Sequence, residues 1–147
     1  MDCKDFIENV FAICDKRKFF IAEENKRKYV LNNVSQQRIC KIKIDKGIIQ
    51  DMNKNKCDYA FLVCAQKQLI LVELKGTNFL HAVQQIISTI DLFAAKIRGE
   101  SISARIVLSK VDVPRLKNNP KFLKLKKIIK SRNGDFKYAS RLLEDTI

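Results

Sequence analysis

The chain has 147 residues, 46% of them hydrophobic, which suits a single domain (1–147) with a buried core. Its 29 Lys+Arg against 16 Asp+Glu give a net charge of +13, so the expected partner is a polyanion: nucleic acid first, an anionic membrane surface second. One histidine, four glycines and five cysteines without a CxxC pair argue against a zinc finger, a phosphate-cradling glycine loop, a dinucleotide fingerprint and a GxSxG triad.

At the N-terminus, Phe6, Ile7, Val10, Phe11 and Cys14 recur at helical spacing, which predicts a helix packed on a sheet. Asp2, Asp5 and Glu8 place charge among these residues, unlike a signal peptide. No apolar run reaches the ~20 residues of a membrane span. Cys3, Cys14, Cys40, Cys57 and Cys64 are an odd set without a secretion signal, so reduced thiols and a cytoplasmic protein are expected. KYVLNNV (28–34) reads as a short strand. RICKIKID (38–45) alternates apolar and basic residues as a half-exposed strand does. Asp45 and Gly47 mark a turn, residues 47–52 a further extended piece, and residues 53–56 a polar connection.

Two apolar runs follow, DYAFLVC (58–64) and QLILVEL (68–74). Their short polar turn predicts an antiparallel hairpin. With the turn centred on Ala65 and Gln66, paired residue numbers sum to 131. That register sets Asp58 opposite Glu73 about 5 Å away, with Lys75 on the same face. At an effective dielectric of ~20, two carboxylates so placed repel by about 3 kcal/mol. Lys75 offsets part of this cost, and a divalent cation offsets far more. A solvated salt bridge at a strand end is the alternative.

Gly76-Thr77-Asn78 supplies a strand exit and a helix N-cap. In the helix that follows, Val83, Ile86, Ile87, Ile90, Phe93, Ala94 and Ile97 form the expected buried face, with Ala82, Gln85 and Thr89 along its edge. If that edge overhangs Lys75, Gln85 or its neighbour Gln84 reaches a bound phosphate; otherwise it is a surface glutamine. His81, in the first turn, reads as solvated. ISARIVLS (102–109) is a strand, and the helix before it makes a crossover to a parallel partner. Val113-Pro114 breaks the chain, and Asn119-Pro120 opens a second helix. This helix turns Phe122, Leu125, Ile128 and Ile129 inward. Lys121, Lys124, Lys127 and Lys130 lie on its other faces, either gripping phosphates or serving only as solvated surface. Residues 136–138 suggest an edge strand, and the tail is expected to fray.

Asp58, the run Glu73-Leu74-Lys75-Gly76 and a helix carrying Ala82 and Gln85 together resemble the PD-(D/E)xK nuclease superfamily, over about residues 40–109. The proline common before the aspartate in that family is Cys57 here. The resemblance implies an α/β, restriction-endonuclease-like core: a mixed central β-sheet flanked by helices in α-β-β-β-α-β order, with the C-terminal basic helix added. It implies Mg²⁺ or Mn²⁺ held by Asp58, Glu73 and the Leu74 main-chain carbonyl. Lys75 would position the attacking water or stabilise developing charge, and Gln85 would take the auxiliary helix position. In some members a glutamate on the first helix assists the metal, which makes Glu8 a candidate ligand, with Glu23 and Glu24 behind it. Asp45 joins them if its strand lies beside Asp58; surface and turn roles are the alternatives for these acids. The implied activity is metal-dependent hydrolysis of phosphodiesters, DNA ahead of RNA, by a protein acting alone or as a homodimer. A non-catalytic nucleic-acid-binding module is the second expectation, and a membrane-surface protein using residues 120–132 the third.

Overall fold

The computed structural model describes residues 1–110 and 116–147, so the break expected at Val113-Pro114 lies outside the described residues. A short 3-10 turn (Cys3–Asp5) precedes β1 (Ala12–Asp15), β2 (Phe19–Glu24), β3 (Arg27–Asn32), β4 (Ile39–Lys43), β5 (Tyr59–Val63) and β6 (Gln68–Lys75). Then come α1 (Phe79–Phe93), β7 (Ser101–Leu108), α2 (Pro120–Ser131), β8 (Phe136–Ser140) and β9 (Leu142–Thr146). The fold is α/β. A mixed six-stranded sheet has the order β1-β4-β5-β6-β7-β8, and a three-stranded sheet the order β2-β3-β9. Pairing is antiparallel from β1 to β6 and parallel from β6 to β8.

The β5–β6 hairpin has the register expected from its turn: Tyr59 pairs with Val72 and Val63 with Gln68. Alternation then sorts its side chains. Ala60, Leu62, Leu69 and Leu71 pack with Val83, Ile86 and Ile90 of α1. Phe61, Val63, Ile70, Val72 and Leu74 pack with Phe20, Tyr29 and Leu31 of the small sheet. Because both faces are covered, the two strands read as continuous apolar runs rather than alternating ones. Each fully buried Leu, Ile, Val or Phe contributes roughly 1.5–3 kcal/mol, so the hairpin is anchored from both sides. Asn78 caps α1 by accepting the His81 N–H (3.0 Å). Asn119 caps α2, with Pro120 in its first turn.

Four expectations fail. Residues 6–15 form no helix: Ile7 is 52% and Val10 88% exposed, and β1 pairs with β4 instead. The Asp2–Asp5 capping box closes a single turn, Asn9 accepts the Phe11 N–H, and β-branched Ile7, Val10 and Ile13 favour the extended chain. Residues 47–52 are turns rather than a strand, with one isolated bridge, Asp45 to Ile49. The tail is ordered, because β9 adds in parallel to β3. The cysteines are not all reduced: disulfides join Cys3 to Cys64 and Cys14 to Cys40, leaving Cys57 free and buried. β2 was not foreseen at all. Among the described residues no helix is long and apolar enough to cross a membrane.

Candidate metal centre

Asp58 stands where β5 begins, and Glu73 and Lys75 stand near the end of β6. The phase that sends Leu69 and Leu71 towards α1 carries Glu73 to the same face, where it is 2% exposed. At Asp58 the chain leaves the regular ladder. Its N–H donates to the Val72 carbonyl (3.2 Å), and its carbonyl accepts the Ile44 N–H (2.9 Å). Its carboxylate then turns to accept the Leu74 N–H (2.7 Å). The Leu74 side chain packs into the core under the small sheet, so Leu74 can contribute to the site only through its main chain.

Burial dominates the electrostatics. It pushes the Glu73 carboxyl up to about 9; the Asp58 charge adds to the effect, while Lys75 and the Asp58 N–H oppose it. Asp58 rises to about 6, again chiefly by burial, with Glu24 and Asp45 raising it and the Leu74 N–H and Lys75 lowering it. Glu73 Oε2 and Gln85 Oε1 are both buried without a hydrogen-bond partner. A carboxylate oxygen in that condition costs about 1–3 kcal/mol or more. A cation bound by Asp58 and Glu73 would remove that cost, and carboxylate, main-chain carbonyl and amide oxygens are the donor types that a hard divalent ion takes.

The edge of α1 closes over the strand entry. Gln85 Nε2 donates to the Lys56 carbonyl (3.1 Å), and Thr89 Oγ1 accepts the Cys57 N–H (2.8 Å). Gln85 and Thr89 of that edge therefore grip the residues immediately before Asp58. On the other side, Asp58 and Tyr59 line a cleft of about 200 Å³ with Glu23, Glu24, Lys43, Asp45 and Lys46. Asp45 comes beside Asp58 because Lys43 pairs with Tyr59, which is the condition the sequence left open. Glu24 arrives from the small sheet.

Glu8 is a correction. The helix meant to carry it does not form, and Glu8 instead lines a surface depression with Lys4, Asp5, Ile7 and Asn9, away from the cleft that contains Asp58. Lys56 was missed, having been read as part of a polar connection. It is 6% exposed and bonds to the carbonyls of Asp51 (2.7 Å) and Lys54 (3.0 Å), with Asp45 at 3.4 Å. No signal in the sequence separates it from the other lysines.

Lys121, Lys124, Lys127 and Lys130 are all exposed on α2. Phe122 packs edge-on against Phe79 (5.7 Å), which joins the N-terminal turns of the two helices. Burial lowers the His81 pKa, and Lys75 and Lys121 lower it further. Lys121 thus lies at the Lys75 end of the molecule, and Lys130 lies about 14 Å further along the helix. No family model, curated protein or solved structure matches this chain.

Proposed function

We propose that the protein is a metal-dependent nuclease of the PD-(D/E)xK kind that hydrolyses DNA phosphodiester bonds. The observation that carries this reading is the unpartnered, buried Glu73 Oε2 beside Asp58, in a chain of net charge +13. The restriction-endonuclease-like core it implies is supported by the succession β4, β5, β6, α1 and a parallel β7, with a turn and strand in place of the first helix. Asp58, Glu73 and the Leu74 carbonyl would hold Mg²⁺ or Mn²⁺. When bound, such an ion polarises a phosphoryl oxygen and makes water acidic enough to attack at neutral pH. Lys75 brings a positive charge to the place where negative charge develops on the phosphate. Gln85 holds the strand entry and so orients Asp58. The exposed lysines of α2 neutralise backbone phosphates on either side of the scissile bond.

Plasmid incubated with the protein and Mn²⁺, against an EDTA control, tests the reading. Glu73→Ala and Lys75→Ala are expected to reduce nicking by roughly 10³-fold while DNA retention on a filter stays within about twofold. Metal-dependent nicking that survives both changes defeats it. A second reading, a nucleic-acid-binding module that does not cut, is favoured by the near-complete burial of Glu73. It predicts DNA binding that is indifferent to EDTA and no cleavage with either ion.

A further inference from the structure

Outside the candidate metal centre, four of the five cysteines meet at one place from four separate parts of the chain. Cys3 comes from the 3-10 turn, Cys14 from β1, Cys40 from β4 and Cys64 from the β5–β6 turn. They are joined as Cys3–Cys64 and Cys14–Cys40. The Sγ atoms of Cys3, Cys40 and Cys64 all lie within 4.8 Å of one another. In each bond one partner is buried (Cys3, Cys40) and the other half-buried (Cys64, Cys14). Cys3 and Cys64 also line a cleft of about 910 Å³ with Phe6, Phe11, Ile48 and Arg98.

We infer that Cys3, Cys14, Cys40 and Cys64 form a thiol–disulfide exchange site whose reaction partner is a dithiol and whose outcome is loss of both covalent ties between residues 1–15 and the rest of the fold. The thiolate of the incoming dithiol attacks the Sγ of Cys14, the less buried partner of its bond. A mixed disulfide forms, the Cys14–Cys40 bond breaks, and Cys40 leaves as a thiolate with the bonding pair. Cys40 then lies within reach of the other bond and attacks Cys64. A Cys40–Cys64 disulfide forms, and Cys3 leaves as a thiolate that takes a proton from solvent. The second sulfur of the dithiol attacks the mixed disulfide, and Cys14 departs as a thiol. Two electrons have moved from one dithiol, now a disulfide, to the protein, which keeps one bond in place of two.

The consequence is mechanical. Cys3 and Cys14 are the two points at which residues 1–15 are covalently tied, and one round of exchange frees both. The remaining Cys40–Cys64 bond lies wholly within the rest of the fold. Without the two bonds the segment is held by the pairing of β1 with β4, the ion pair of the Met1 amino group with Glu100 (2.6 Å) and the burial of Cys3 and Phe6, while Ile7, Val10, Phe11 and Ile13 are exposed. A thiolate metal centre does not compete in this state, because all four sulfurs are bonded in pairs. This inference is independent of the proposed nuclease activity.

The test treats the oxidised, full-length protein with one equivalent of dithiothreitol, quenches in acid, alkylates and maps the peptides. The expected product carries alkylated Cys3 and Cys14 and a Cys40–Cys64 bond. Tryptic cleavage at Lys16, Arg17 or Lys18 is expected to become about tenfold faster. Cys14→Ser supplies a second route: its free Cys40 should form Cys40–Cys64 with no reductant present. Parallel loss of the two original bonds without Cys40–Cys64, or persistence of Cys3–Cys64 as the sole bond in Cys14→Ser, overturns the inference. So does stoichiometric retention of Zn²⁺ by the reduced protein.

Discussion

Glu73 sets the stability of the metal-free protein against the cation binding proposed for it. A carboxyl that is 2% exposed, with one oxygen unpartnered, lowers the stability of the metal-free protein. Replacing it by a nonpolar residue of similar size removes that cost. Glu73→Leu is therefore expected to stabilise the metal-free protein by about 1–3 kcal/mol, raising Tm by roughly 3–8 °C, while cation binding is lost. Calorimetry with and without Mn²⁺ reads both effects, and a lower Tm in EDTA refutes the account of the unpartnered oxygen. Asp58, Glu73 and Lys75 were legible in the sequence because a short turn between two apolar runs fixes pairing, and pairing fixes the face. Glu24 and Asp45 were weaker candidates, because their approach to Asp58 depends on how the two sheets stack, and no local pattern encodes that. Lys56 was illegible for the same reason: its burial is a tertiary fact.

Among the elements, β9 shows how a segment expected to fray is held. Asp145 accepts from Tyr29 OH (2.8 Å), Arg105 Nε (2.6 Å) and Lys137 Nζ (2.7 Å), which ties β9 to β3, β7 and β8. Arg105 also reaches the Asp135 carboxylate (2.8 Å) and is itself 3% exposed. Burial pushes the Asp145 pKa up, but Lys137 and Arg105 outweigh it and hold the carboxyl below its ordinary value. The folded pKa lies below the unfolded one, so this contribution is complete above the usual aspartate range, near ~3.9, and disappears as pH falls through the folded value. Melts from pH 7 downward should show stability falling across that window, with Asp145→Asn less stable at neutral pH and flatter in acid. Asp145→Ala leaves a buried guanidinium poorly paired and is expected to cost about 3–5 kcal/mol. The helices were readable from their caps and apolar stripes. The N-terminal segment was misread because its apolar spacing suits a helix, whereas its β-branched residues and β4's available edge suit a strand.

For the whole molecule, the excess of 13 positive charges predicts that the proposed DNA association depends strongly on salt. Each lysine that neutralises a phosphate steepens the dependence of log K on log salt by about 0.9. Lys121→Ala combined with Lys124→Ala is expected to flatten the slope by up to about 2 without changing sequence preference. Fluorescence anisotropy between low and moderate salt measures it, and an unchanged slope places α2 outside the interface. The two-sheet arrangement itself was not legible. β2 and β9 acquire their roles only by packing against a hairpin that lies far away in sequence.

The closing bond between Tyr29 and Asp145 spans 116 positions, and this sets a timetable for synthesis. A nascent chain cannot complete the small sheet until β9 has left the ribosome. Until then β3 presents an unpaired edge, and Phe61, Val63, Ile70 and Val72 depend on a two-stranded cover alone. Long-range pairing of this kind forms late and leaves sticky surface open in the meantime. Slow translation between β3 and β9 should therefore raise the demand for chaperones, because it lengthens the time for which that edge stays open.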